Sequence, residues 1–419
     1  MRIAWFSKNN LSQQSGAISA YCSDNLLPHL KKRHEIINFN DDPDGANDAQ
    51  QEHFLRALES HKCSPFDLFF YHIEDSKAGD VSRLHCGLMP GVTWFHDVFL
   101  STHGPEPILN SPWSENISRS SDLTREWLPR DHSYFREGPV AQREIGVAAG
   151  LISSCPRLVR ELNQWRGERV NSSKAVYVPH PVEVVTVKAA RAGKIAFCGS
   201  PRIEHRAFKV LGALDRIKDS WKELVWLVDA SELRAAQALI AEVGLDQVQL
   251  VTGRSPASWQ ELVADAEVAI HLLVSAYGQL GPYLNISMMA GVPSIVSDYA
   301  GGEYVPDQLV FKLASGEREE LELAATIQSI LGVHSRELGM PAREYAEEFF
   351  SSSVVAQELE SFLKDSALRS GEAMRRWMRM RSEGRKEIFR DVIPDLNLQN
   401  NLFHNQILEI CSSLGWEVK

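Results

Sequence analysis

The sequence predicts an α/β protein built as two Rossmann-like, doubly wound domains followed by a helical C-terminal extension. Three observations carry this expectation. At 419 residues the chain is longer than one hydrophobic core usually supports. Short apolar runs alternate with helix-period stretches along most of it, the pattern of strand–helix–strand units that feed parallel sheets. The alternation then restarts at Lys194-Ile-Ala-Phe-Cys-Gly199, after His180-Pro-Val-Glu-Val184 and a basic, small-residue connector, Lys188-Ala-Ala-Arg-Ala-Gly193. The restart sets the expected division: residues 1–187, residues 194–350, and a closing helix with its extension over 351–419.

Taken in order, the first half offers strands at Arg2–Phe6, Glu35–Asn38, Leu68–His72, Thr93–His96, Gly150–Ser153 and Ala175–Val178. Helical patterns between them cover Ile18–Lys32, Ala49–Ser60, Val140–Ala149 and Pro156–Trp165. The second half offers strands at Ile195–Cys198, Leu224–Val228, Gln247–Val251, Val268–Leu272, Ser294–Ser297 and Leu309–Lys312. Its helices are expected over Ala207–Asp219, Ser231–Val243, Trp259–Ala264, Tyr283–Ala290, Glu319–Leu331 and Pro341–Phe349. One region departs from the pattern. Gly104 to Gly138 carries four prolines and two tryptophans with weak periodicity, and a loop of that length either shapes a cleft or covers a surface.

Composition narrows the classes of function. Hydrophobic and charged contents of 44% and 24% are those of a fully folded globular chain. A formal net charge of −11 argues against a general polyanion binder, so nucleic acid is not an expected partner. The six cysteines are scattered with no C-x-x-C spacing, which fits a reducing cytosol without structural zinc. The apolar run Met1-Arg-Ile-Ala-Trp-Phe6 meets polar residues at once, and no run of 18 apolar residues occurs. Neither a signal peptide nor a membrane span is expected, and the chain is read as cytoplasmic.

Four places bear residues that can carry chemistry. Gly16, in Ser12-Gln-Gln-Ser-Gly-Ala-Ile-Ser19 before the first helix, either lets the backbone approach a ligand or serves a plain turn. His96 closes the apolar run Val92-Thr-Trp-Phe95 and faces a crevice if that strand is parallel; a hydrogen-bonded structural histidine is the other reading. In Phe197-Cys-Gly-Ser-Pro-Arg-Ile-Glu-His-Arg206, Arg202 and Arg206 follow a strand and precede a helix, where bidentate phosphate contact and ordinary surface exposure both fit. Finally, Gly278-Gln-Leu-Gly-Pro-Tyr-Leu-Asn285 places glycines and no charge at a helix mouth, and Ser297-Asp-Tyr-Ala-Gly-Gly-Glu303 follows. Free backbone N–H groups at such a mouth meet anions. Asp298 and Glu303 either take hydroxyls or cap turns. The spaced aspartates of Asp41-Asp-Pro-Asp44 follow an early strand and read as a solvated turn.

The order of these features resembles the GT-B glycosyltransferases, and within that fold the family-four retaining enzymes. The resemblance spans about residues 1 to 365. Its matching pieces are Pro90-Gly-Val-Thr-Trp-Phe-His-Asp97, Val178-Pro-His-Pro-Val182, Phe197-Cys-Gly199 with Arg206, and Met288-Met-Ala-Gly-Val-Pro-Ser-Ile-Val-Ser-Asp298. It implies a central cleft between the two domains and transfer of a sugar from a nucleotide-sugar donor, without cofactor or metal. Gly16 then lies under the donor phosphates and His96 near the transferred sugar. Arg206 matches one member of the diphosphate-gripping pair; His205 stands where the family has lysine, with Arg202 the nearest substitute. Gly199, Gly278, Gln279, Gly281, Asn285 and Glu303 complete the implied donor site, with His96 and Arg206 as the catalytic residues.

One departure stands out. The family's two glutamates, eight positions apart, fall on Gly278 and Ile286, and only the neutral amides of Gln279 and Asn285 stand nearby. The resemblance therefore implies a bacterial glycosyltransferase acting, with the retention that is the family's mode, on a glycan or lipid-linked acceptor of surface polysaccharide synthesis. A non-catalytic subunit of the same fold that binds sugar or nucleotide for a partner enzyme is the alternative. Donor base, donor sugar and acceptor are not legible from residues.

The tail has a reading of its own. Beyond a closing helix expected near Ser352–Leu363, Ser366–Arg390 holds seven Arg and one Lys against three Glu, interleaved with Met374, Trp377, Met378 and Met380. Such a stretch either lies on an anionic membrane surface or packs its apolar side on protein, including a second copy. A last helix is expected over Asn401–Leu414.

Overall fold

The computed structural model describes residues 1–7, 18–40, 51–74, 79–98, 141–166, 174–253, 255–274, 280–299, 301–332 and 335–382. Gly16, Gly278 and Gln279, the turn at Asp41–Asp44, the Gly104–Gly138 loop and the segment 383–419 lie outside them.

Two parallel sheets form, one on each side of residues 178–193. The first holds β1 (Arg2–Phe6), β2 (Glu35–Asn40), β3 (Gln51–His53), β4 (Leu68–Ile73), β5 (Val92–Phe95), β6 (Gly150–Ser153) and β7 (Val176–Tyr177), in the order β3-β2-β1-β4-β5-β6-β7. The second holds β8 (Lys194–Cys198), β9 (Glu223–Val228), β10 (Val248–Thr252), β11 (Val268–His271), β12 (Ser294–Ser297) and β13 (Phe311–Leu313), in the order β10-β9-β8-β11-β12-β13. Every pairing among these strands is parallel. Central strands such as Leu-Phe-Phe-Tyr-His-Ile at β4 are buried along their whole length, which is why they read as unbroken apolar runs.

Helices cover both faces of each sheet. On one face of the first lie α1 (Ile18–Leu30) and the closing helix α12 (Ser352–Ser382), whose Val355, Leu359 and Leu363 pack with Cys22, Leu26, Trp5 and Trp94. On the other lie α2 (Ala57–Cys63), α3 (Gly79–Leu88), α4 (Gln142–Val147) and α5 (Pro156–Arg166), around Phe6, Phe39, Tyr71 and Leu158. In the second sheet, α6 (Ala207–Arg216), α7 (Leu233–Val243) and α10 (Glu319–Ile330) enclose a core with Trp226. Opposite them, α8 (Pro256–Val263), α9 (Gly281–Met289) and α11 (Ser335–Phe349) enclose one with Trp259. The chain returns to the first sheet at the end: Val182 bridges Ser351, and Glu360 of α12 receives Arg33 at 2.8 Å.

Several boundaries differ from the sequence reading for physical reasons. The helix expected over Ala49–Ser60 is a short strand, a 3-10 turn at Phe54–Arg56 and then α2, because Gln51–His53 pairs with the end of β2. Helix α3 went unforeseen because its buried side is polar. Ser82, Arg83, His85 and Cys86 are buried there, and Arg83 meets Glu144 of α4 at 3.3 Å. Helix α11 begins six residues before Pro341, which sits inside it rather than at its start. Helix α8 begins earlier than expected too, with the Ser255 hydroxyl capping the Ser258 N–H at 3.1 Å and Pro256 in the first turn. The closing helix runs past Leu363 to Ser382, into the basic stretch.

Candidate active site

Strand order reverses beside the first strand of each sheet, at β1/β4 and at β8/β11. In open parallel sheets a crevice opens there, at the carboxyl ends of the strands. In the first domain those ends carry a buried polar cluster. Strand β4 ends in His72-Ile73 followed by Glu74, and His96 directly follows β5, its N–H held by the Ile73 carbonyl at 2.8 Å. His96 Nε2 lies 2.8 Å from His72 Nδ1, and His96 Nδ1 lies 3.4 Å from His180 Nε2. The three rings run end to end, within 8° and 23° of coplanar at the two junctions. Ser19 of α1 donates to Glu74 at 2.7 Å, and the Cys22 thiol of the same helix lies within 4.8 Å of ring nitrogens of His96 and His180.

Burial governs the protonation of this cluster. It pulls His72 and His180 down to about 3 and His96 well below its ordinary value, so all three rings are neutral near pH 7. Burial also pushes the Cys22 thiol up, with the Glu74 and Asp24 carboxylates adding to the effect. A hydrogen bond with the Gly281 backbone acts to raise His180, which makes its imidazole the donor to that backbone. The contact joins the first domain to the mouth of α9.

The second side is built differently. Strand β8 ends at Cys198-Gly199. A Cβ at Gly199 would meet the Phe197 ring at 2.7 Å, and its carbonyl accepts the Trp226 indole N–H at 2.7 Å, so this glycine permits a close packing turn. A small pocket beyond it is walled by Cys198, His205, His271, Leu272, Gly281 and Tyr283, with Ile18 of the first domain opposite. Arg202 and Arg206 are not among its walls. Arg202 is largely exposed and meets Glu232 at 3.3 Å. Arg206, the one non-glycine residue with positive φ among those described (54°), turns its Nε toward buried Glu319 at 3.4 Å.

Gly281 begins α9 with φ of 62°, a conformation suited to glycine, and Pro282 follows in the first turn. The Asn285 amide donates to the His180 carbonyl at 2.9 Å, so it braces the linker. Ile286 is fully buried. Glu303 is half-buried in a 3-10 turn, its carbonyl accepting Lys312 Nζ at 2.9 Å. On this flank α5 reaches across: Arg160 donates to the Tyr304 hydroxyl, and the Arg157 guanidinium lies 5.3 Å from the Tyr299 ring centre.

The structure thus brings His96, Gly281 and Asn285 together around His180; Arg202 and Arg206 meet Glu232 and Glu319 instead, and the Glu303 carbonyl meets Lys312. Sequence reasoning missed Cys22, His72, Glu74 and His180. His72 had the same signal as His96, a polar residue ending an apolar strand run. His180 stood in the Val178-Pro-His-Pro-Val182 motif without a role. Nothing local marks Cys22 or Glu74.

No family model matches the chain, and no curated protein matches it in sequence. Solved structures do match in fold. Sucrose-phosphate synthase of Thermosynechococcus elongatus aligns with a TM-score of 0.63 at 14% identity, over 87% of this chain and 98% of that one. HepE of Anabaena, solved with UDP and glucose, aligns at 0.60 and 13%, over 87% and 100%. A glycosyltransferase of Rickettsia africae aligns at 0.59 and 13%, over 87% and 98%. At such identities the likeness speaks for architecture: with two parallel sheets facing each other at their switch points, the chain has the GT-B fold.

Proposed function

We propose that the protein is a glycosyltransferase that takes a sugar from a nucleotide-sugar donor and transfers it with retention, as the family-four enzymes do. The observation that carries the reading is the joining of the two switch points through His180, whose ring meets His96 and whose carbonyl accepts the Asn285 amide of α9, which sets the buried histidines against that helix. UDP and UDP-glucose, present in the HepE structures, are the first donors to try.

In this reading the N–H groups that open α9 face the donor diphosphate, and the charge that develops on the departing β-phosphate is met by those preorganised dipoles. His96 lies on the sugar side, its ring fixed by His72 and His180. Arg202 and Arg206, neutralised by Glu232 and Glu319, stand in the outer field rather than in contact. Transfer itself is assigned no cofactor. A glycan or lipid-linked acceptor of bacterial surface polysaccharide synthesis enters from the first-domain side. Among the described residues no helix is long and apolar enough to cross a membrane. Approach to a lipid-linked acceptor then falls to the basic stretch over residues 366–390, as a peripheral contact.

Calorimetry with nucleoside diphosphates, followed by nucleotide sugars and assay of donor hydrolysis, tests the proposal. Tight binding of one nucleotide sugar with slow release of its diphosphate supports it. Binding of none refutes it. A second reading, a non-catalytic sugar- or nucleotide-binding subunit, is favoured by the carboxylate-paired arginines and by Ile286 where the family has glutamate. Tight donor binding without hydrolysis or transfer supports that reading instead.

A further inference from the structure

We propose that Cys22, His96 and His180 form a binding site for one tetrahedral divalent transition ion of the zinc type, at the seam between the two domains. The Cys22 Sγ and one nitrogen of each ring lie within 4.8 Å of one another, and all three residues are buried. His96 Nδ1 and His180 Nε2 are 3.4 Å apart. That is long for a hydrogen bond between ring nitrogens, and it is about the edge of a tetrahedron whose Zn–N bonds are about 2.05 Å.

The surroundings suit ligation. A ligating imidazole needs one bare nitrogen and a partner for the other. His96 has that partner in His72 Nδ1 at 2.8 Å, and His180 has it in the Gly281 backbone, so Nδ1 of the first and Nε2 of the second are left to face each other. Cys22 supplies a soft sulfur from α1, and the Glu74 carboxylate adds negative charge that offsets a dication. One thiolate and two neutral imidazoles make a borderline-soft set that suits zinc or cobalt over magnesium or calcium. Three protein ligands leave the fourth tetrahedral position to water or another donor. The three ligands come from α1, from the end of the first sheet and from the linker bonded to α9, so the ion ties the domains together. The site shares His96 and His180 with the proposed transferase site, but it is argued from their ring geometry, so ion binding and not turnover decides it.

Full-length protein stripped with a chelator and titrated with Co²⁺ tests the assignment. Expected are one equivalent bound, a near-ultraviolet thiolate-to-cobalt charge-transfer band, tetrahedral visible bands, and a higher Tm with Zn²⁺. Cys22→Ser should abolish the charge-transfer band, and His180→Gln should weaken binding by at least about tenfold, the low end of what even an outer-shell partner contributes. Failure of the wild type to bind one equivalent against a chelator of micromolar affinity overturns the proposal, as does a charge-transfer band that survives Cys22→Ser. If the variants do not fold, X-ray absorption of the zinc-loaded wild type decides: one sulfur with imidazole scattering upholds the site, and oxygen-only coordination removes it.

Discussion

The two switch points share a strand order and differ in chemistry. At the first, His72, Glu74 and His96 are carried on strand ends and buried among Trp5, Trp94 and α1. At the second, the strand ends present Cys198, His271 and leucines, and the arginines just past β8 are paired away with Glu232 and Glu319. The difference teaches that one topology can place polar groups inside the crevice or around its outside. A buried neutral imidazole needs only hydrogen-bond partners, whereas a guanidinium left in an apolar pocket needs a carboxylate.

If the working groups lie on the first side, His96→Ala should lower transfer by about 100-fold or more, the scale of losing one preorganised polar group. Turnover with the donor identified by calorimetry checks this, and unchanged turnover breaks the comparison. Arg206→Ala should act on stability rather than on rate. Glu319, 2% exposed, loses its cation; since Arg206 is itself 21% exposed, the cost is about 2 kcal/mol, below that of a fully buried pair. Adding Glu319→Gln should recover part of the loss in urea unfolding. A fall in turnover larger than that of His96→Ala would place the chemistry on the second side instead.

Acid response gives a third contrast. Burial lowers His85 in the first domain and His271 in the second to about 3. Both folded values lie below the unfolded one of about 6.5, so the unfolded chain takes up the protons. The stability these rings contribute is full above about pH 6.5 and is lost as pH falls toward 3. His271→Gln should flatten the stability–pH profile by about 1.4 kcal/mol per pH unit in that window. An unaltered slope refutes the assignment. The smallest effect is expected at Glu360, where hydrogen bonds from Lys364 and Arg33 lower the carboxyl to about 2. Its contribution is present above the unfolded value of about 4.3 and is lost as pH falls through 2. Both cations are more than half exposed, so Glu360→Gln should cost about 1 kcal/mol or less at neutral pH, read from Tm.

Most of the fold was legible because buried parallel strands announce themselves. Arg2–Phe6, Gly150–Ser153 and Ser294–Ser297 were placed at their boundaries from apolar runs alone. Helix α3 was not, because Arg83 and His85 point inward to Glu144 and to the aromatic ring of Phe6. The cluster around His96 was half legible. A polar residue ending a strand is a local signal, but the pairing of His72, His96 and His180 joins residues far apart in the chain.

What the sequence by itself determined was the alternation of strands and helices, the restart at Lys194 and the position of His96 at a strand end, since each depends on the period of nearby side chains. Only the tertiary structure decided which way the charges turn and which polar groups meet. Arg206 faces Glu319 across a separation of more than a hundred residues, and Asn285 holds the His180 carbonyl across another. Such choices follow from desolvation and geometry summed over elements brought together by folding, and no stretch of sequence carries that sum.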